Sequence, residues 1–271
     1  MKWSCLMLGS VLAVLVFVTL GCTSSIDFLD GIATDGRSET ENWQVSVDAI
    51  REMTRGQPIP QHLIDPEKPM QDDTFDPNQL LTALPHLSLH QGYSLDFVYR
   101  YDGMGGRPIL YAREESAAPY ESYEAYQDAC GVEDLPYDAY FEYIETDGTE
   151  EGYFQWLVMR VMGGQFYLYW HSGYDDAEII ASKARLDEMV DEMASAEFGE
   201  PLTSSQRRKA LKIDPAPVVE ITGDLVTVSV IWFTRWGGFY ESVYTLTAST
   251  PHKIIDTQTQ QLVPYDCQIL F

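Results

Sequence analysis

The sequence lacks the short motifs that mark many catalytic and cofactor sites. It has no G-x-S-x-G elbow, no H-E-x-x-H zinc motif, no phosphate-binding loop, and no G-x-G-x-x-G between a strand and a helix. Its most glycine-rich stretch, Gly103–Gly106, is followed by Arg107 and Pro108 and predicts a hairpin turn. These absences exclude the familiar motif-bearing enzymes, but not glycosidase-like carboxylate pairs, which leave no short signature.

Positive charge is also scarce. Lys and Arg number 17 against 42 Asp and Glu, a formal net charge of −25. A chain this acidic repels nucleic-acid phosphates and anionic lipid head groups, so neither is an expected partner. The simplest interpretation of the acids is a solvated coat, and binding of a cation is the alternative.

Long apolar runs are absent except at the N-terminus. Cys5–Gly21 is uncharged and apolar, follows Lys2, and gives way to polar residues after Cys22. A positive start, an apolar core and small residues at its end are typical of an export signal. The predicted organisation is a signal peptide over 1–21, a tether over 22–37 and a single α+β domain over 38–271.

The end of this run, Thr19-Leu20-Gly21-Cys22, resembles the lipobox of bacterial lipoproteins. The match is partial, because that family usually has leucine at the position of Thr19 and a small residue at that of Leu20. The resemblance implies cleavage before Cys22 and acylation of this cysteine with fatty acid such as palmitate. An uncleaved membrane helix is the alternative, because the run approaches the roughly 20 residues that span a bilayer. Both place the remaining chain outside the cytoplasm, tethered to a membrane of the cell envelope.

Cysteine is rare, with four in the chain. Cys5 lies in the signal and Cys22 is the predicted lipid carrier. The remaining two, Cys130 and Cys267, do not have the C-x-x-C spacing of a redox or metal site. Because disulfides persist in exported proteins, we predict a bond between these two, worth about 2–4 kcal/mol. Two buried free thiols are the alternative.

The rest of the chain predicts an α+β fold, an antiparallel sheet of glycine-turn hairpins with helices packed on one face. Caps and apolar spacing predict helices over 38–56, 76–84, 119–130, 175–199 and 204–211. Aromatic segments separated by glycines predict three hairpins: 93–101 with 109–112, 154–161 with 166–170, and 226–236 with 240–246. Two final strands are predicted around Pro264.

One candidate catalytic group is His171, which ends an aromatic segment and precedes Asp175 and Asp176, the predicted caps of the fourth helix. A helix N-terminus offers backbone donors to an anion, and a histidine beside a carboxylate can act as a general base. No nucleophile is evident, because Ser172 lacks the flanking glycines of a strained elbow. A histidine that simply bonds a neighbouring acid is the simpler interpretation.

A candidate metal site lies in the segment from Tyr120 to Tyr153, which mixes acids with tyrosines. Such mixtures suit sugar and cation sites, because rings pack on apolar faces while carboxylates bind hydroxyls or metal. Calcium prefers six to eight oxygen ligands, of which Asp147, Glu150 and Glu151 would supply some. An acidic surface above half-buried tyrosines is the simpler interpretation.

Two functional hypotheses follow. The first is an envelope lipoprotein without catalytic activity that binds a small molecule, a glycan or another envelope protein through its aromatic and acidic residues. The second is an extracytoplasmic hydrolase-like enzyme centred on His171. No cofactor other than calcium is expected.

Overall fold

Six α-helices and ten β-strands make up the part of the chain that the computed structural model describes, residues 40–65, 67–69, 74–131, 137–195 and 199–268. The predicted signal, Cys22 and tether lie outside these residues. The helices are α1 (Thr40–Thr54), α2 (Gln79–Ala83), α3 (Tyr123–Cys130), α4 (Glu150–Met162), α5 (Lys183–Ala194) and α6 (Ser204–Ala210). The strands are β1 (Leu87–Leu89), β2 (Tyr93–Tyr101), β3 (Gly105–Glu114), β4 (Ile144–Thr146), β5 (Tyr169–Trp170), β6 (Glu178–Ile180), β7 (Val218–Thr222), β8 (Leu225–Thr234), β9 (Gly238–Thr247) and β10 (Ile254–Pro264).

The strands form three antiparallel sheets among the described residues, which confirms the α+β class. A two-stranded sheet pairs β1 with β4, and a three-stranded sheet has the order β2-β3-β5. The largest sheet has the order β10-β9-β8, and the second edge of β8 is shared by β7 and β6. Within described helices, no segment is long and apolar enough to cross a membrane.

Two of the predicted hairpins are confirmed. In the β2–β3 turn, Gly103 has φ +88°, and in the β8–β9 turn Gly238 has φ +98°. Glycine is required at Gly238 for a second reason, because a Cβ there would clash with the backbone oxygen of Val263. Positive φ and close backbone approach are both conditions that only glycine meets without strain.

The middle hairpin prediction is wrong, because residues 150–162 form α4. Gly163, which was expected to turn a hairpin, has φ −61° and ψ −28° and follows directly on the helix. The sequence signal for the start of α4 is Thr149, whose side chain accepts a hydrogen bond from the N–H of Gly152. The acids Glu150 and Glu151 follow it in the first turn, where negative charge is favourable. Almost every side of α4 is buried, so its sequence shows a continuous apolar run instead of helical periodicity.

The predicted fourth helix begins later than expected. Asp175 and Asp176 do not cap it, because residues 178–180 form β6 and pair with β8. The cap of α5 is Ser182, whose hydroxyl accepts from the N–H of Arg185 at 3.1 Å. The final region also differs, because β10 runs unbroken from Ile254 to Pro264 where the sequence predicted two strands around that proline.

The main core surrounds α4. Its buried residues Phe154, Leu157 and Val158 share one cluster with α1 and with the inner residues of β7 and β8. A second cluster joins α5 and α6 to β8, β9 and β10. The largest sheet is therefore covered by α4 in one cluster and by α5 and α6 in the other.

One buried carboxylate joins three elements of the fold. Glu178 in β6 is 1 % exposed and accepts from the guanidiniums of Arg51 in α1, Arg55 directly after α1, and Arg185 in α5. Burial alone would raise the pKa of Glu178, but the three guanidiniums outweigh it and hold the pKa below its ordinary value. The ion-paired cluster fixes α1 and α5 against the same strand.

Candidate functional site

The three candidate catalytic residues follow β5 in sequence, but both acids have other partners. His171 opens a short 3-10 turn and its ring lies 5.9 Å from that of Trp170. Asp175 forms an ion pair with Arg107, with Nη2 and Oδ2 2.6 Å apart. Asp176 accepts from the Thr234 hydroxyl and, at 3.0 Å, from the N–H of Arg235; burial raises its pKa despite these bonds. The general-base role of His171 stays a prediction.

The candidate calcium ligands organise the start of α4. Asp147 accepts from the N–H and hydroxyl of Thr149 at 3.0 and 2.6 Å, and from Nδ1 of His86 at 2.7 Å. Glu150 and Glu151 lie in the first helical turn, where negative charge interacts favourably with the helix dipole. Within the described ranges, no group of three or more His, Cys, Asp or Glu side chains is placed to hold a metal ion. Calcium binding at these acids stays a prediction.

The predicted disulfide is not present in the structure. Cys130 ends α3 and is exposed, whereas Cys267 follows β10 and is buried, and both are free thiols.

Alkylation of the folded chain is expected to modify Cys130 readily and Cys267 only after denaturation, because access to the thiolate controls reaction with the reagent. Peptide mass mapping of folded and denatured samples measures both. A peptide in which Cys130 and Cys267 are crosslinked, found without reduction, would contradict this expectation and establish the disulfide.

The sequence did not predict the most distinctive site, a cavity of about 450 Å³, here called the arginine cavity. It lies between β3, the short 3-10 helix at 139–143 and the second half of α4. Its polar and aromatic lining consists of Arg107, Tyr137, Asp138, Phe141, Arg160, Gln165 and Asp175.

Each arginine of the cavity is paired with one aspartate. Arg107 binds Asp175, and Arg160 binds Asp138 through Nη2 and Oδ2, also 2.6 Å apart. The guanidinium of Arg107 lies over the ring of Tyr137, with 4.4 Å between its central carbon and the ring centroid. The two arginines and two aspartates give the cavity lining no net formal charge. The lining therefore presents hydrogen-bond donors beside hydrogen-bond acceptors.

Two polar atoms in the cavity wall are buried without a hydrogen-bond partner among the described residues, Nε of Arg107 and Oε1 of Gln165. Gln165 is 5 % exposed, and its amide nitrogen donates to the carbonyls of Val161 and Ala177, which fixes the oxygen as the unpaired end. Gln165 also borders a smaller cavity beside Arg55. An unpaired buried polar atom costs about 1–3 kcal/mol, so the wall of the cavity is held at some cost in stability.

The polar residues of the arginine cavity come from separate segments, so no local sequence pattern identifies them as one site. Arg107 follows a hairpin turn, and Arg160 was expected on a strand that does not exist. Tyr137 and Asp138 belong to the segment of acids and tyrosines, the only part of the site that composition singled out. No family model, curated protein or solved structure matches this chain.

Proposed function

We propose that the protein is an exported, membrane-tethered binding protein and that a neutral saccharide is the ligand of the arginine cavity. The observation that carries this proposal is the electroneutral set of two Arg–Asp pairs in one cavity. A hydroxyl group donates one hydrogen bond and accepts others, so a sugar hydroxyl can bond to an arginine and an aspartate together.

The walls of the cavity suit the rest of a sugar. Tyr137 is exposed, and the ring of Phe141 lines the same space. A sugar has C–H faces that can pack on the exposed ring of Tyr137, while its hydroxyls bond to the Arg–Asp pairs. The volume lies within the roughly 300–1,000 Å³ range of small-molecule sites.

Charge supports a neutral ligand over an anionic one. Without Lys2, 16 basic residues remain against 42 acids, so the mature chain carries a net charge of −26 and repels polyanions. The N-terminal signal and Cys22 support a place in the cell envelope, where a tethered protein meets extracellular or envelope glycans.

Removal of the Arg107 guanidinium is the direct test. In calorimetric titrations with neutral mono- and disaccharides, Arg107→Met is expected to weaken binding by about 10- to 100-fold, because a hydrogen bond to a charged group is worth about 1.5–3 kcal/mol. Methionine retains an apolar stem beside Tyr137, so much of the packing remains.

Arg113→Met is the matched control. Arg113 lies on β3 like Arg107 and also pairs with an aspartate, Asp96, at 3.0 Å, but it does not line the cavity. Its substitution is expected to leave affinity unchanged. Equal weakening by both variants contradicts the proposed site, and binding of small carboxylates without saccharides contradicts the proposed ligand.

A further inference from the structure

A row of aromatic rings lies beside the arginine cavity. Trp170, His171, Tyr174 and Trp236, here called the aromatic strip, have successive ring centroids 5.9, 6.0 and 4.3 Å apart. Trp170 is 58 % exposed and Tyr174 is also exposed. Large apolar side chains are costly to leave in water, so a contiguous row of them indicates a binding surface.

The backbone at Trp170 is strained. Its φ of 42° and ψ of −112° lie outside the regions that residues with a Cβ ordinarily adopt. Such conformations cost about 1–3 kcal/mol and cluster at ligand sites, where the surrounding structure holds them. Two backbone contacts hold the chain in this conformation. Trp170 pairs with Gly105, and the N–H of His171 donates to the carbonyl of Met104.

Two links through the backbone place the strip near the cavity. Asp175, which pairs with Arg107 in the cavity, directly follows Tyr174 of the strip. Arg107 directly follows Gly106, which pairs with Tyr169 beside Trp170. A ligand that fills the cavity and extends outward along this side would reach the rings.

We propose that the ligand is a saccharide chain, with one unit in the arginine cavity and further units stacked on the aromatic strip. This inference rests on the proposed function and names its ligand more narrowly. Ring faces recognise the C–H faces of successive sugars, and the strip carries no formally charged side chain of its own, so it suits a neutral chain. Proximity to a polar cavity with paired donors and acceptors favours this occupant over an apolar protein surface.

The test compares ligand length. Glucose with its β-1,4-linked oligomers and N-acetylglucosamine with its β-1,4-linked oligomers are titrated, from one to six units, into the chain from Thr23 onward. Affinity is expected to rise by about tenfold or more between the monosaccharide and the tetrasaccharide, as each stacked ring adds its own contact. Trp170→Ala is expected to reduce this gain severalfold and to leave monosaccharide affinity unchanged.

Two further variants make the comparison specific. Trp170→Gly removes the ring and also suits the positive φ, so it keeps the test valid if the alanine variant folds poorly. Ile255→Ala is the control, because Ile255 is 57 % exposed on β10 and contributes no ring to the strip. It is expected to bind every oligomer as the parent chain does.

The contradicting outcomes are distinguishable. If no saccharide binds, the proposed function fails, and this inference with it. If monosaccharides bind but affinity does not change with length, only the saccharide-chain inference fails. Sedimentation that shows a dimer which Trp170→Ala dissociates would assign the strip to a second copy of this chain and would also overturn the inference.

Discussion

Glu178→Gln is expected to lower the free energy of unfolding by about 3–5 kcal/mol, the usual cost of removing one partner from a buried ion pair. The substitution leaves Arg51, Arg55 and Arg185 around a neutral amide, and Arg185 is itself buried. Urea denaturation followed by circular dichroism measures the change. Because Glu178 joins α1, β6 and α5, the loss affects packing in both main clusters.

Glu188→Gln provides a matched control on the same arginine. Glu188 binds Nη1 of Arg185 at 2.7 Å, but its side chain is 61 % exposed. Exposed pairs contribute about 0–1 kcal/mol, so this variant should unfold close to the parent chain. Similar losses in both variants, or a loss below about 1 kcal/mol for Glu178→Gln, would contradict the role given to the buried carboxylate.

The same substitution has an expected pH dependence. The folded state holds the pKa of Glu178 below its ordinary value of 4.5. Its contribution is therefore complete above the unfolded pKa and is lost as the pH falls through the lowered folded value. The difference in stability between the parent chain and Glu178→Gln should shrink over that acidic range. Asp176, whose pKa is raised by burial, acts in the opposite direction in both proteins.

Phe154→Ala is expected to cost about 3–5 kcal/mol of unfolding free energy, because it removes a large side chain from the centre of the main core. Phe154 is fully buried on α4, and its ring meets that of Trp43 edge-on at a centroid distance of 4.8 Å. Alanine favours a helix, so the loss reports the missing packing and not a disrupted α4. Thermal and urea unfolding both measure it.

Val45→Ala is the comparison for this change. Val45 lies on α1, but it is 62 % exposed, so its truncation should change stability by less than about 0.5 kcal/mol. A cost near zero for Phe154→Ala would mean that α4 does not lie at the centre of the core.

The elements that the sequence predicted best are those with local signals. The β2–β3 and β8–β9 hairpins follow from glycines at Gly103 and Gly238 that need positive φ. The helix α4 was missed because burial on nearly all sides erases the periodicity that identifies a surface helix. Thr149 caps this helix, but the apolar run after it is equally typical of a buried strand.

The candidate site was predicted far less well than the fold. Its ion pairs join Arg107 to Asp175 and Arg160 to Asp138, partners that lie 68 and 22 positions apart in sequence. No local pattern encodes such pairs, because they form only when β3 packs against the turn at 171–174 and α4 against the segment before the 139–143 helix. The aromatic residues around His171 were noticed in the sequence, but the row they form with Trp236 depends on the tertiary fold.

The position of β8 in the sequence limits when the chain can fold during synthesis. Strand β6 can join its sheet only after β8 has been synthesised, because Ile180 pairs with Ile231, which lies 51 positions later. The core around α4 also includes Val226, Val228 and Val230 of β8. A chain that emerges N-terminus first therefore lacks the central strand of its largest sheet until most of its length is free. Its early segments therefore cannot complete a stable core on their own.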